Sequence, residues 1–160
     1  MDLQILGFRG EISSVGETLN QINSIKKDGE IIQLLNADAV AGPRHIEHGV
    51  NQAFLAFERK ENLANDLSVE ICLRCSAQRQ ISRAFNLLGL KEGHMNLCAV
   101  LIDCDDYTYE LSEMFTSDES VLNPDVDKLK EIYAIDDEEL EIMDVEDILI
   151  DRISKLVVDY

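Results

Sequence analysis

Residues 70–89 read E-I-C-L-R-C-S-A-Q-R-Q-I-S-R-A-F-N-L-L-G. Extended back to Asp66, the first half places Leu67, Ile71 and Cys75 along one side of a helix, while Val69, Cys72 and Leu73 line others. A helix that is apolar on several sides is a buried one. A second helix is expected over residues 77–88, with Ile81, Ala84, Phe85 and Leu88 as its stripe, Ser76 as N-cap and Gly89 at its stop. The two helices meet at a corner that gathers Arg74, Ser76, Gln78, Arg79 and Gln80. So many donors between buried helices call for an explanation, either a capping and turn network or a surface for unpaired nucleotides, whose edges suit guanidinium and amide groups.

Upstream, a polar patch at residues 60–65 separates this pair from a helix that opens at Pro43 and carries Ile46, Val50, Ala53, Phe54 and Phe57 at steps of three and four. Strands are expected at residues 3–8 and 31–37, the latter after the Asp28-Gly29 turn signal, with a helix over 15–25 between them. Downstream, residues 96–103 read as a strand: Leu97 to Ile102 is a continuous apolar run with no polar alternation. A polar loop, expected to be mobile, covers residues 116–123, and Pro124 opens a helix over 125–133. The last helix, 144–158, has apolar side chains over an arc of roughly 200°, about twice what one core face requires. Val145, Ile148, Leu149 and Leu156 form one face, and Ile150, Ile153 and Val157 a second that suits a partner. The expected fold is α+β, a single mixed domain over 1–160 with a small sheet packed against several helices.

A chain of 160 residues with 46% apolar content can bury one sizeable core. No stretch is long and apolar enough to span a bilayer, and the opening Met-Asp-Leu-Gln-Ile lacks the pattern of a signal peptide, so a cytoplasmic protein without membrane contact is expected. The net charge is −18, and residues 103–160 hold 20 acidic against 4 basic side chains, while residues 41–95 hold 7 basic and 6 acidic. Such a field repels phosphate, so any nucleic-acid contact must be local and built from the middle segment. The acidic third serves solubility or meets a basic partner.

Catalytic signatures are absent. Cys72 and Cys75 form C-x-x-C, which with Cys98 and Cys104 could make a zinc site, but the pair lies inside an apolar helix where reduced cysteines pack as small hydrophobes. His45 and His48 are three apart, where a zinc protease needs four. There is no nucleophile elbow, phosphate loop or dinucleotide fingerprint. Asp103, Asp105 and Asp106 could hold Mg²⁺ at a strand end, but a solvated turn is the simpler reading. No cofactor or metal is expected, and a metal-dependent hydrolase using Cys72, Cys75 and residues 103–106 stands only as an alternative.

The stretches L-L-N-A-D-A-V-A (34–41), H-G-V-N-Q-A (48–53) and the 70–89 segment resemble the kinase-binding subunit of the KEOPS complex. The combination of an N-A-D strand, an N-Q-A helix, E-x-x-x-R and R-Q-I is far more restrictive than any single motif above. The resemblance implies a non-catalytic subunit that binds and stimulates a small RIO-like kinase and ATPase, and through it meets the other subunits. That complex places a threonylcarbamoyl group on the adenosine beside the anticodon of tRNA. It further implies capture of the 3′ CCA end of tRNA, for which Arg74, Ser76, Arg79 and Gln80 match the family's R-x-S-x-x-R-Q pattern, with Lys60 and Asn65 as further candidates. Where the family commonly has Gly after the Ser, this chain has Ala77, whose Cβ opposes a positive φ. The kinase contact is assigned to Ile150, Ile153 and Val157. A pure kinase-binding scaffold without RNA contact is the alternative.

Overall fold

The computed structural model describes residues 1–156. At its centre the apolar run forms β3 (Gly93–Ile102), which pairs antiparallel on one side with β1 (Leu3–Ile12) and on the other with β2 (Ile31–Asn36). A two-residue strand, β4 (Thr116–Ser117), lies outside β1, so the strand order is β2-β3-β1-β4.

Because successive side chains of a strand point to opposite faces, an all-apolar strand must be covered on both. Leu97, Ala99 and Leu101 pack with Phe8, Ile32 and Leu34, under Ile22 of α1 (Val15–Ile25) and Leu111 of α5 (Thr108–Met114). Cys98, Val100 and Ile102 face a larger cluster. It is built from α2 (Pro43–Glu58), α3 (Leu67–Cys75), α4 (Ile81–Leu88), α6 (Val126–Tyr133) and α8 (Val145–Lys155). The α+β expectation is met: a small antiparallel sheet between helical layers.

Within the larger layer α2 and α3 touch at Gly49. A Cβ there would lie 2.4 Å from Cys75 Sγ and 2.9 Å from its Cα, so only glycine permits this approach. The helix starts follow capping chemistry: Ser14, Asp66, Asp125 and Asp144 each accept a main-chain N–H from the first turn.

Several expectations need correction. The helix expected over 77–88 begins at Ile81, and Ser76 is the C-cap of α3 rather than an N-cap. Only Ala84 and Leu88 of its stripe are buried, while Ile81 and Phe85 stay 47% and 42% exposed. The segment 116–123 is structured: Asp118 N–H donates to the Gly7 carbonyl at 3.0 Å, Arg9 Nε reaches Asp118 at 2.8 Å, and Val121 and Leu122 pack on the core. Two helices had no counterpart in the sequence reading, α5 and α7 (Asp137–Ile142). The wide apolar arc of α8 is largely consumed inside the chain, against α2 and α7: Ile153 is fully buried beside Val145, Ile148 and Leu149.

Overpacking a close helix contact typically costs 1–3 kcal/mol. Gly49→Ala is therefore expected to lower unfolding free energy by about 2 kcal/mol, read as a lower urea midpoint at unchanged slope.

Candidate functional site

The corner after α3 is a helix-terminating turn closed by main-chain bonds. Ala77 N–H donates to the Arg74 carbonyl and Gln78 N–H to the Leu73 carbonyl, both at 3.0 Å, and Ala77 takes φ +55°. Ser76 Oγ donates to the Leu73 carbonyl at 3.2 Å and is fully buried. The end of α2 repeats the device at Lys60, φ +59°, where Glu61 N–H donates to the Ala56 carbonyl at 2.8 Å. Both left-handed positions, where glycine is favoured, carry side chains here.

Within α3, running back from its last turn, lies a buried ion pair. Glu70 Oε1 accepts the N–H groups of Leu63 (2.8 Å) and Ala64 (2.7 Å), and Oε2 accepts Arg74 Nε at 2.7 Å. The Arg74 guanidinium also donates to the Glu61 carbonyl at 3.4 Å. An isolated charge in this interior would be prohibitive, but four hydrogen bonds satisfy the pair and tie the 59–66 loop to α3. Arg74 at 2% exposure and Ser76 at 0% are thus internal props. Buried this far, neither side chain has the exposed surface that Arg79 and Gln80 offer a nucleotide.

His45 performs a parallel task at the start of α2. Its Nδ1 accepts the Ala41 N–H at 3.0 Å, which fixes the tautomer so that Nε2–H donates to the Cys75 carbonyl at 2.7 Å. Burial holds the imidazole down to about 4, against an ordinary value of 6.5. Tyr133 stacks edge-on to the ring at 6.3 Å and donates its hydroxyl to the Ala39 carbonyl at 2.6 Å. His48, one turn on, meets Ser154 Oγ of α8 at 2.8 Å.

The exposed candidates fall into two groups. Arg79 and Gln80 lie on the surface of the α3–α4 turn, where Arg79 donates to the Leu156 carbonyl at the end of α8 at 3.1 Å. Lys60 and Asn65, also exposed, lie on the loop before α3. Since His45 at the start of α2 meets Cys75 at the end of α3, the two helices run antiparallel. The two groups therefore sit at opposite ends of α3, roughly 13 Å apart along its axis. Of the proposed kinase-facing side chains, Ile150 is half-buried, Ile153 is inaccessible, and Val157 lies outside the described residues. From sequence, Glu70 entered only within the E-x-x-x-R pattern and His45 only as a rejected zinc ligand, and neither was read as an organiser of the site. An acid four residues before an arginine inside an otherwise apolar helix is the signal that marks Glu70.

The four thiols are unpaired with one another. Burial pushes Cys72 and Cys98 up to about 12, and Cys75 well above the ordinary range. Among the described residues no three His, Cys, Asp or Glu side chains converge in a way that could hold a metal ion, and no helix is long and apolar enough to cross a membrane.

Two comparisons bear on this geometry. The family described as kinase binding protein CGI-121 matches residues 11–155. A relative from Methanocaldococcus jannaschii, the regulatory protein Cgi121, is 38% identical over 120 residues, covering 71% of this chain and 77% of its own length.

Two outcomes follow from the local chemistry. Ala77→Gly relieves a left-handed Cβ and should raise unfolding free energy by about 1 kcal/mol in urea titrations. The unfolded His45 imidazole takes up a proton near pH 6.5, whereas the folded one does so only near 4. Its contribution is thus fully present above pH 6.5 and lost as pH falls through that window, by about 3 kcal/mol in all. Unfolding free energies measured between pH 7 and 5 should slope accordingly, and His45→Gln should flatten that slope.

Proposed function

Since the chain belongs to the CGI-121 kinase binding protein family, we propose that it is a non-catalytic subunit of the KEOPS complex. In this reading it binds and stimulates the RIO-like kinase and ATPase and helps to hold the 3′ CCA end of tRNA. The observation that carries the RNA part is the α3–α4 turn. A closed main-chain turn with Ser76 buried inside it underlies a surface that presents Arg79 and Gln80, with Arg83 exposed one turn on, while the Glu70–Arg74 pair braces α3 against the preceding loop. Donors on a rigid support lose little entropy when they bind a flexible single strand. Arg74 and Ser76 act beneath that surface, and Lys60 and Asn65 offer a second, separate contact on the loop that Glu70 anchors.

Kinase docking draws on α8 through Ile150 and the exposed Ser154 and Lys155 beside it, on a C-terminal third whose 20 acidic side chains suit a basic partner surface. A net charge of −18 keeps RNA affinity weak and salt-dependent, so the basic partners bear most of the tRNA.

One observation favours a pure kinase-binding scaffold: Arg79 already serves the fold by closing the end of α8. Binding of tRNA with and without its terminal CCA to the kinase-bound protein separates the readings. Arg79→Ala is expected to weaken CCA-dependent binding about tenfold, roughly 1.4 kcal/mol, with kinase binding retained and unfolding free energy lowered by about 1 kcal/mol at most. Unchanged tRNA affinity on both CCA removal and Arg79→Ala, Gln80→Ala substitution would establish the scaffold. Arg74→Ala is unsuited to this test, since leaving Glu70 unpaired destabilises the fold by about 3–5 kcal/mol.

A further inference from the structure

The two edges of the sheet are finished differently. Asp103 N–H donates to the Asp2 carbonyl, so the odd-numbered residues of β3 turn their main-chain groups toward β1. The bond from Asp118 N–H to the Gly7 carbonyl agrees, since it directs the odd-numbered residues of β1 toward β4. The even-numbered residues Cys98, Val100 and Ile102 therefore bond to Leu35, Gln33 and Ile31 of β2. What remains is the outer edge of β2, where the N–H and C=O groups of Ile32 and Leu34 point away from the sheet with no partner among the described residues.

That edge forms the floor of a groove of about 570 Å³. One wall is α1, through Leu19, Ile22 and Lys26, and the other is built by Val69, Phe85 and Leu90. Ile32 and Leu34 are buried, while the rim residues Leu19 and Phe85 are 45% and 42% exposed. Unpaired main-chain groups in such a place are costly unless something donates to and accepts from them.

We infer that the β2 edge docks one extended segment of a partner protein, with apolar side chains at alternate positions and an acidic side chain that meets Lys26. An extended chain alone supplies donors and acceptors at the spacing of Ile32 and Leu34, and its alternate side chains reach the α1 wall and the α3–α4 wall in turn. The edge is recessed between helices, so a second copy, whose own edge lies between the same walls, cannot approach it. Lys26 has no carboxylate within ion-pair distance among the described residues, and Asp66 on the opposite wall is engaged with Val69 N–H of the first turn of α3. The site is separate from the RNA and kinase readings and stands or falls independently of them.

The probe is a displayed library of randomised peptides of about ten residues, long enough for one strand, selected on the full chain, with an enriched peptide then synthesised. Enriched sequences should share alternating apolar residues and an acid. Leu19→Glu and Phe85→Glu, both at exposed positions, should each weaken binding at least about tenfold. Lys26→Glu should do the same and be rescued by a peptide whose acid is replaced by lysine. Exchange of the Ile32 and Leu34 amide protons should slow on saturation. Failure to enrich any sequence, or binding that leaves those amides and the three variants indifferent, overturns the proposal. So does a concentration-dependent dimer by sedimentation that protects the same amides without peptide.

Discussion

The strand β3 has no polar face, and most of the architecture answers that fact. One face is closed by α1 and α5, which follow sheet strands closely in sequence. The other is closed by a bundle in which α2 and α3 approach so nearly that Gly49 lies against Cys75. Packing helices this tightly over a strand carries their ends into the interior. Main-chain groups that water would ordinarily satisfy must then find partners within the protein.

His45 and Glu70 are those partners. The imidazole bridges the Ala41 amide and the Cys75 carbonyl, and the carboxylate gathers the Leu63 and Ala64 amides. Arg74 neutralises Glu70 and reaches back to the same loop. The polar residues at the corner thus divide by depth. The inner ones hold loop and helix end in place, and the outer ones, Arg79 and Gln80, are carried on that support. A neutral His45 and a fully bonded Glu70 are two solutions to one problem, the burial of helix ends without loss of hydrogen bonds.

The sequence was informative wherever burial and periodicity coincide. The helix over 15–25, the start of α2 at Pro43 and the run of β3 were all legible from spacing. The α3–α4 turn misled because its left-handed residue is alanine, so no glycine announced the break and Ser76 looked like the start of a helix. In α8 an apolar arc of double width suggested a partner face, yet Ile153 turns inward because α2 and α7 flank the helix on different sides. Two short helices escaped notice for opposite reasons. Tyr107, Leu111 and Phe115, at steps of four, are a one-residue-wide stripe that marks α5. By contrast α7 has no fully buried residue, only Leu140 partly covered against the core, and is marked chiefly by the Asp136–Glu139 capping box. Site residues were legible as a polar cluster, but depth, which separates Arg74 from Arg79, is a property of the packed structure.

The placement of the thiols gives the molecule a built-in clock. Burial raises the ionisation point of all four thiols, but Cys72, Cys75 and Cys98 are buried in the larger core, whereas Cys104 sits only partly covered against the opposite layer. Alkylating reagents attack thiolates, so the three core cysteines become modifiable only when the bundle lifts from the sheet. The order in which the four sulfurs acquire label would therefore time the separation of one layer against the other, without any introduced reporter.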